Sequence, residues 1–107
     1  MFEVNEVSPT TELIHGHTVV GVAAVPLTRF SHNCVRGILV RAPGAGEPTP
    51  NTEVVWVGRA SVAASSDVDN GGIPITPGGS VVLPINDPSK VYVISLAGGQ
   101  DIAWMGV

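Results

Sequence analysis

The sequence predicts an all-β domain, an antiparallel β-sandwich or jelly-roll-like barrel of about seven to nine short strands. Three observations lead there. The chain of 107 residues carries 13 Gly and 9 Pro, and these punctuate it at the eight-to-twelve-residue spacing of sandwiches and barrels. Almost no window shows helical periodicity between caps, whereas valine is abundant. Two segments, "SVVLPI" and "KVYVISL", alternate with period two, as a strand with distinct faces must.

Taken in order, the first ten residues read as an extended arm, in which Phe2, Val4 and Val7 supply apolar side chains. Principal strands are expected over Thr18–Val25, Val35–Ala42, Thr52–Gly58, Ser80–Ile85, Lys90–Leu96 and Ile102–Val107. Shorter ones are expected near Thr11–His15, Ala60–Ala63 and Ile73–Thr76. Residues 41–51, "RAPGAGEPTPN", contain three Pro and two Gly and read as a surface loop rather than a linker between domains. "ITPGGS", "PINDPSK" and "AGGQD" are tight connections rich in Pro, Gly, Asn and Asp. In the strand at 80–85, Val81, Leu83 and Ile85 share one face, with Ser80, Val82 and Pro84 opposite. In the strand at 90–96, one face holds Val91, Val93 and Ser95, the other Tyr92, Ile94 and Leu96. A strand apolar on both sides is either covered within its own domain or packed against another subunit, and in so small a domain burial between subunits is expected.

Length and charge set the bounds. A chain of 107 residues forms one domain, able to bury roughly two-thirds of its unfolded surface without disulfides. Only 13% of residues are charged and 44% are hydrophobic, with a formal net charge of −4. Such a surface is poor in the charges that keep small proteins apart, so a partner covering part of it is expected. The five basic residues, Arg29, Arg36, Arg41, Arg59 and Lys90, are scattered, which argues against a phosphate-neutralising patch and hence against nucleic acid as a partner. The amino terminus carries Glu3, Glu6 and Glu12 rather than a basic start and an apolar run, so no export signal is read. The longest nearly apolar stretch, Val19–Leu27, contains Pro26 and falls short of the roughly 20 residues of a membrane helix, so no membrane span is expected. Cys34 stands alone, which rules out an intrachain disulfide and fits a small core residue.

Candidate chemistry is sparse. "SSDVDNGG", Ser65–Gly72, resembles the start of a calcium loop, but counting from Asp67 the fifth position is Gly71 and the twelfth is Gly78, where ligands are required. Asp, Asn and paired Gly also make chain reversals, and the turn is the reading adopted. His15 and His17 share one side of a strand, yet a zinc site needs three or four converging ligands. A third would have to come from His32, Cys34 or an Asp, so paired surface histidines are expected instead. No nucleophile elbow, phosphate loop or zinc-protease motif occurs, and Asp67 and Asp69 sit in a turn, so neither catalysis nor a cofactor is expected. Trp56, Tyr92 and Trp104 lie among Val and Ile, where aromatics supply core or interface area rather than a sugar platform.

From Asn51 onward the chain resembles a type of small structural protein of tailed bacteriophages. The resemblance is carried by "NTEVVWVG" (Asn51–Gly58), "NGGIPITPGGSVVLPI" (Asn70–Ile85), "DPSKVYVI" (Asp87–Ile94) and "AGGQDIAWMGV" (Ala97–Val107). Upstream, "HNCVRGILVRAP" (His32–Pro43) adds to it. It covers about two-thirds of the chain and is a pattern of strands and turns rather than of chemical groups. It implies a virion component made in the host cytoplasm, foremost a capsid decoration or cement protein. Such a protein binds the major capsid protein on the outer surface of the head, often as a homotrimer. A tail or fibre-attachment protein and a carbohydrate-binding module are the alternatives. The expected contact residues are Phe2, Val4 and Val7 of the arm, adding a strand to an exposed edge, together with Trp56 and Tyr92.

Overall fold

In the computed structural model the described residues are 14–34, 36–65 and 69–107. They form eight strands: β1 (His15–Val20), β2 (Val25–Pro26), β3 (Ile38–Arg41), β4 (Val55–Gly58), β5 (Ile73–Ile75), β6 (Ser80–Leu83), β7 (Tyr92–Ser95) and β8 (Gln100–Gly106). A single 3-10 turn, Pro88–Lys90, precedes β7. The strands make two antiparallel sheets, sheet A in the order β1-β8-β3-β6 and sheet B in the order β2-β7-β4-β5. Both contribute to one core: Val20, Ile38, Val40, Ile102 and Trp104 from sheet A meet Val55, Val57, Ile75 and Val93 from sheet B. The fold is thus the expected all-β sandwich.

The period-two faces fall where alternation places them. Val81, Leu83 and Ile85 pack against the core, while Val91, Val93 and Ser95 are buried. Cys34 is a core residue, and its sulfur lies only 2.6 Å from where a Cβ on Gly106 would stand, so Gly106 is fixed by close packing. Burial, reinforced by the nearby Asp87 carboxylate, pushes the Cys34 thiol up and keeps it protonated.

Strand limits differ from expectation for identifiable reasons. The strand expected over Thr18–Val25 is two strands. β1 ends at Val20, the Gly21 carbonyl accepts from the Ser95 N–H of sheet B at 2.8 Å, and the chain thereby changes sheets before β2. The segment Thr11–His15 lies outside the described residues except for Ile14 and His15, of which His15 opens β1. β3 starts at Ile38 because Gly37, at φ 143, bends the chain where any Cβ would strike the Leu83 carbonyl oxygen. Ala60–Ala63 is no strand. Val62 turns back through a bond from its N–H to the Arg59 carbonyl, and only Ala63 makes a bridge, to Gly71.

Thr52–Val54 also stay outside β4, because side chains satisfy their backbone. The Gln100 Oε1 accepts from the N–H of Thr52 at 2.8 Å and of Glu53 at 3.0 Å, and Ser95 Oγ donates to the Val54 carbonyl at 2.8 Å. Asn51 completes the joint: its amide donates to the Asp101 carbonyl at 2.8 Å and accepts from the Asp101 N–H at 2.7 Å, imitating a strand partner. Asn51, Ser95 and Gln100 are the buried polar residues among those described, and each is hydrogen-bonded, as burial demands.

A second polar joint holds the segment between β2 and β3. The Asp87 carboxylate accepts from Ser31 Oγ, from the His32 N–H at 3.3 Å, and from both the N–H (3.0 Å) and the Oγ (2.8 Å) of Ser89. Asp87 is also the N-cap of the 3-10 turn, with Pro88 following it. These donors, Ser31 first, hold its carboxyl far below the ordinary carboxylate range. A depressed folded pKa means stabilisation that is present above the unfolded value near 4 and lost as pH falls toward the folded value. Asp87→Asn should therefore lower the thermal midpoint at pH 7, and the gap to wild type should close as the pH is taken below 4 in paired melts.

Candidate interaction surface

The outward face of sheet B gathers apolar side chains from all four of its strands. In register, Ile94 of β7 stands beside Trp56 of β4, which stands beside Pro74 of β5. In the next row Pro26 of β2 stands beside Tyr92, which faces Gly58. Trp56 and Tyr92, both expected contact residues, are therefore diagonal neighbours on one face, within reach of each other's side chains. Each is half-buried, and none of these six positions carries a charge. Leu96 continues the outward side of β7 and is 67% exposed. The core of that sheet is filled by Val55, Val57, Val93 and Ile75, so these rings are not required inside.

The Trp56 indole N–H is shielded from water and has no hydrogen-bond acceptor. A desolvated donor left unpaired costs about 1–3 kcal/mol. At one margin of the face Val62 packs over Gly58 and Gly72. Val62 is buried, with its Cγ2 2.8 Å from a Cβ placed on Gly58 and 2.6 Å from one on Gly72. Neither glycine can carry a side chain without displacing Val62. The Asn70 carbonyl accepts from the Ala63 N–H at 2.7 Å. Asp69 and Asn70 form a turn, as expected, but the bridge from Ala63 to Gly71 is parallel, so no antiparallel reversal is made there; Ser66, Asp67 and Val68 lie outside the described residues.

Phe2, Val4 and Val7 also lie outside the described residues. His15 and His17 are exposed on the outward face of β1, where His17 Nδ1 sits 3.3 Å from Asp101 Oδ1. His32 borders the same open depression as His15 and His17, with its ring 6.1 Å from that of Trp104. Among the described residues no group of three or more His, Cys, Asp or Glu converges on a point that would hold a metal ion. No described helix is long and apolar enough to cross a membrane.

Trp104 belongs to the core, 6% exposed, its indole packed over Gly16, where a Cβ would come within 3.2 Å of Nε1. The loop 41–51 is braced by a two-pronged pair between Arg41 and Glu47, at 2.8 and 2.6 Å, and Glu47 also accepts from the Gly44 N–H. Arg41 draws the Glu47 carboxyl down to about 2. Sequence reasoning did not foresee the Asn51, Gln100 and Asp87 joints. Each lies in a turn-like stretch ("TPNTE", "NDPS", "GGQD"), where a polar residue is ordinary and does not reveal its distant partner.

Such a surface offers area and shape rather than a reactive group: two aromatic rings, an aliphatic ridge and two prolines, uncharged throughout. Comparison with known proteins finds no matching family model, no matching curated protein and no matching solved structure.

Proposed function

We propose that this chain is a virion structural protein, a capsid decoration protein that binds the major capsid protein on the outer surface of a phage head and stabilises the shell as a homotrimer. The phage assignment rests on the strand-and-turn resemblance from Asn51 onward. The observation that supports an adhesive role is the uncharged apolar face of sheet B, with Trp56 and Tyr92 side by side on it. Aromatic anchors at the centre of a contact carry a disproportionate share of its binding energy. A subunit that binds only the expanded shell lowers the free energy of that state by mass action. No catalytic step and no cofactor enters this role.

The same two rings would serve as a stacking platform in the carbohydrate-binding alternative. Binding of the purified protein to heads lacking it separates the two. A Trp56→Ser/Tyr92→Ser variant that keeps the wild-type circular dichroism should bind at least about tenfold more weakly, since losing an aromatic anchor costs about 2 kcal/mol or more. Unchanged affinity would remove this face from the interaction. Glycan-induced change in Trp56 fluorescence, with no binding to heads, would select the carbohydrate reading.

A further inference from the structure

Edge strands carry unpaired N–H and C=O groups, and proteins ordinarily blunt them with proline, charge or brevity. Both edges of sheet B are blunted: β2 has two residues, one of them Pro26, and β5 has three, with Pro74 at its centre. The edges of sheet A are not. β1 runs six residues, "HGHTVV", and β6 four, "SVVL", and neither contains proline, lysine, arginine or a carboxylate.

The phase of each ladder shows which groups point outward. The Gly106 N–H donates to the Ile14 carbonyl, so by antiparallel alternation Gly16, Thr18 and Val20 bond to β8. His15, His17 and Val19 then turn their backbone groups to the free edge. The Ala42 N–H donates to the Gly79 carbonyl, so Val81 and Leu83 bond to β3, and Ser80 and Val82 turn outward. These outward groups of β1 and β6 have no backbone partner among the described residues. The side chains of all five residues lie on the exposed outer face of sheet A. Four alternating strands also leave β1 and β6 running in opposite directions.

We propose that the β1 edge of one copy pairs antiparallel with the β6 edge of the next, making sheet A continuous across copies that repeat head to tail and close a ring. This rests on the homo-oligomer reading above and supplies its contact. Phase, direction and face all agree. The outer face of one sheet continues as the outer face of the next, and no like charges meet. Val19 and Val82, 71% and 56% exposed, come to lie along the same seam. A second copy is the occupant that satisfies both edges at once. A foreign strand, or β1 paired with its own counterpart, would leave β6 open.

The test uses the full chain in solution, without capsids. Light scattering should give three times the 11.0 kDa chain mass. His17→Pro removes an outward donor without touching the bonds to β8, and Val82→Lys places a charge on the other edge. Each should return the mass to that of one chain with unchanged circular dichroism. His17→Cys or Val19→Cys, combined with Val82→Cys and treated with a short bismaleimide, should yield covalent trimers in at least one pairing, with Cys34 buried and unreactive. A monomeric wild type at millimolar concentration, edge variants that keep the wild-type mass, or cross-linking of the Val19→Cys chain to itself would each overturn the proposal. A monomeric wild type would also remove the homotrimer from the proposed role, but capsid affinity is not read in any of these, so capsid binding itself would stand, and loss of capsid binding would leave the edge pairing untouched.

Discussion

Replacing Trp104 by alanine should lower the stability of the domain by about 3–5 kcal/mol, the loss usual for a buried large aromatic. Trp104 is 6% exposed, sits at the centre of β8 between β1 and β3, and fills the space left open by Gly16 on the neighbouring strand. Gly16 has no side chain of its own to fill the resulting cavity. A domain of this size has about 5–15 kcal/mol in total, so the variant should unfold at a markedly lower urea concentration. Trp104→Phe should recover a substantial part of the loss. Trp56→Ala, which removes a half-buried ring from the outer face, should cost far less in the same urea titration. If the two tryptophans proved equally costly, the division between a core ring and a surface ring would be wrong.

Asn51→Ala should cost about 2–4 kcal/mol, since it strands both the N–H and the C=O of Asp101 and each unpaired buried group costs about 1–3 kcal/mol. The side chain acts as a one-residue strand, pairing with both backbone groups of Asp101. Asn51→Asp should not rescue. A carboxylate still accepts from the Asp101 N–H but presents an oxygen to the Asp101 carbonyl, where a donor is needed. Gln100 works beside it, its Oε1 taking two backbone N–H groups and its Nε2 donating to Thr52 Oγ1 and the Gly98 carbonyl, each at 3.1 Å. The two amides are close enough to share the segment 51–53, so the double variant should depart from additivity. Denaturation curves for the two single variants and the double one measure this directly.

What the sequence made legible was local. Alternation in "SVVLPI" and "KVYVISL" put Val81 with Leu83 and Val91 with Val93 on common faces, though not which face meets the core, and Pro and Gly placed the turns around them. The sheet change between Val20 and Val25 was not legible, because Val, Ala and Gly there suit one long strand and only the bond from Ser95 to Gly21 diverts the chain. Nor was the loss of a strand at Ala60–Ala63, which is decided by the notch that Gly58 and Gly72 leave for Val62. The 3-10 turn at Pro88–Lys90 carries a readable start, an Asp cap followed by Pro, but its hold on Ser31 depends on a contact across 56 residues. The candidate surface shows the same division. Trp56 and Tyr92 stood out as aromatics in apolar strands, whereas their meeting on one face depends on the pairing of β4 with β7, a register that neither segment encodes alone.

The proposed role makes binding, rather than chemistry, the work of this fold, and it divides the surface between two tasks. On this proposal the outer face of sheet B would supply uncharged apolar area for a shell, and the open edges of sheet A would supply strand pairing between copies. The proposal that this is a head decoration protein is tested most directly by asking whether phage particles produced from its source contain the chain and measuring its copy number there against the major capsid protein by quantitative mass spectrometry. A ratio close to one chain per shell subunit is the expected result. A small fixed number of copies would place the chain at a tail or other unique vertex, and its absence from the particle would contradict a virion role altogether.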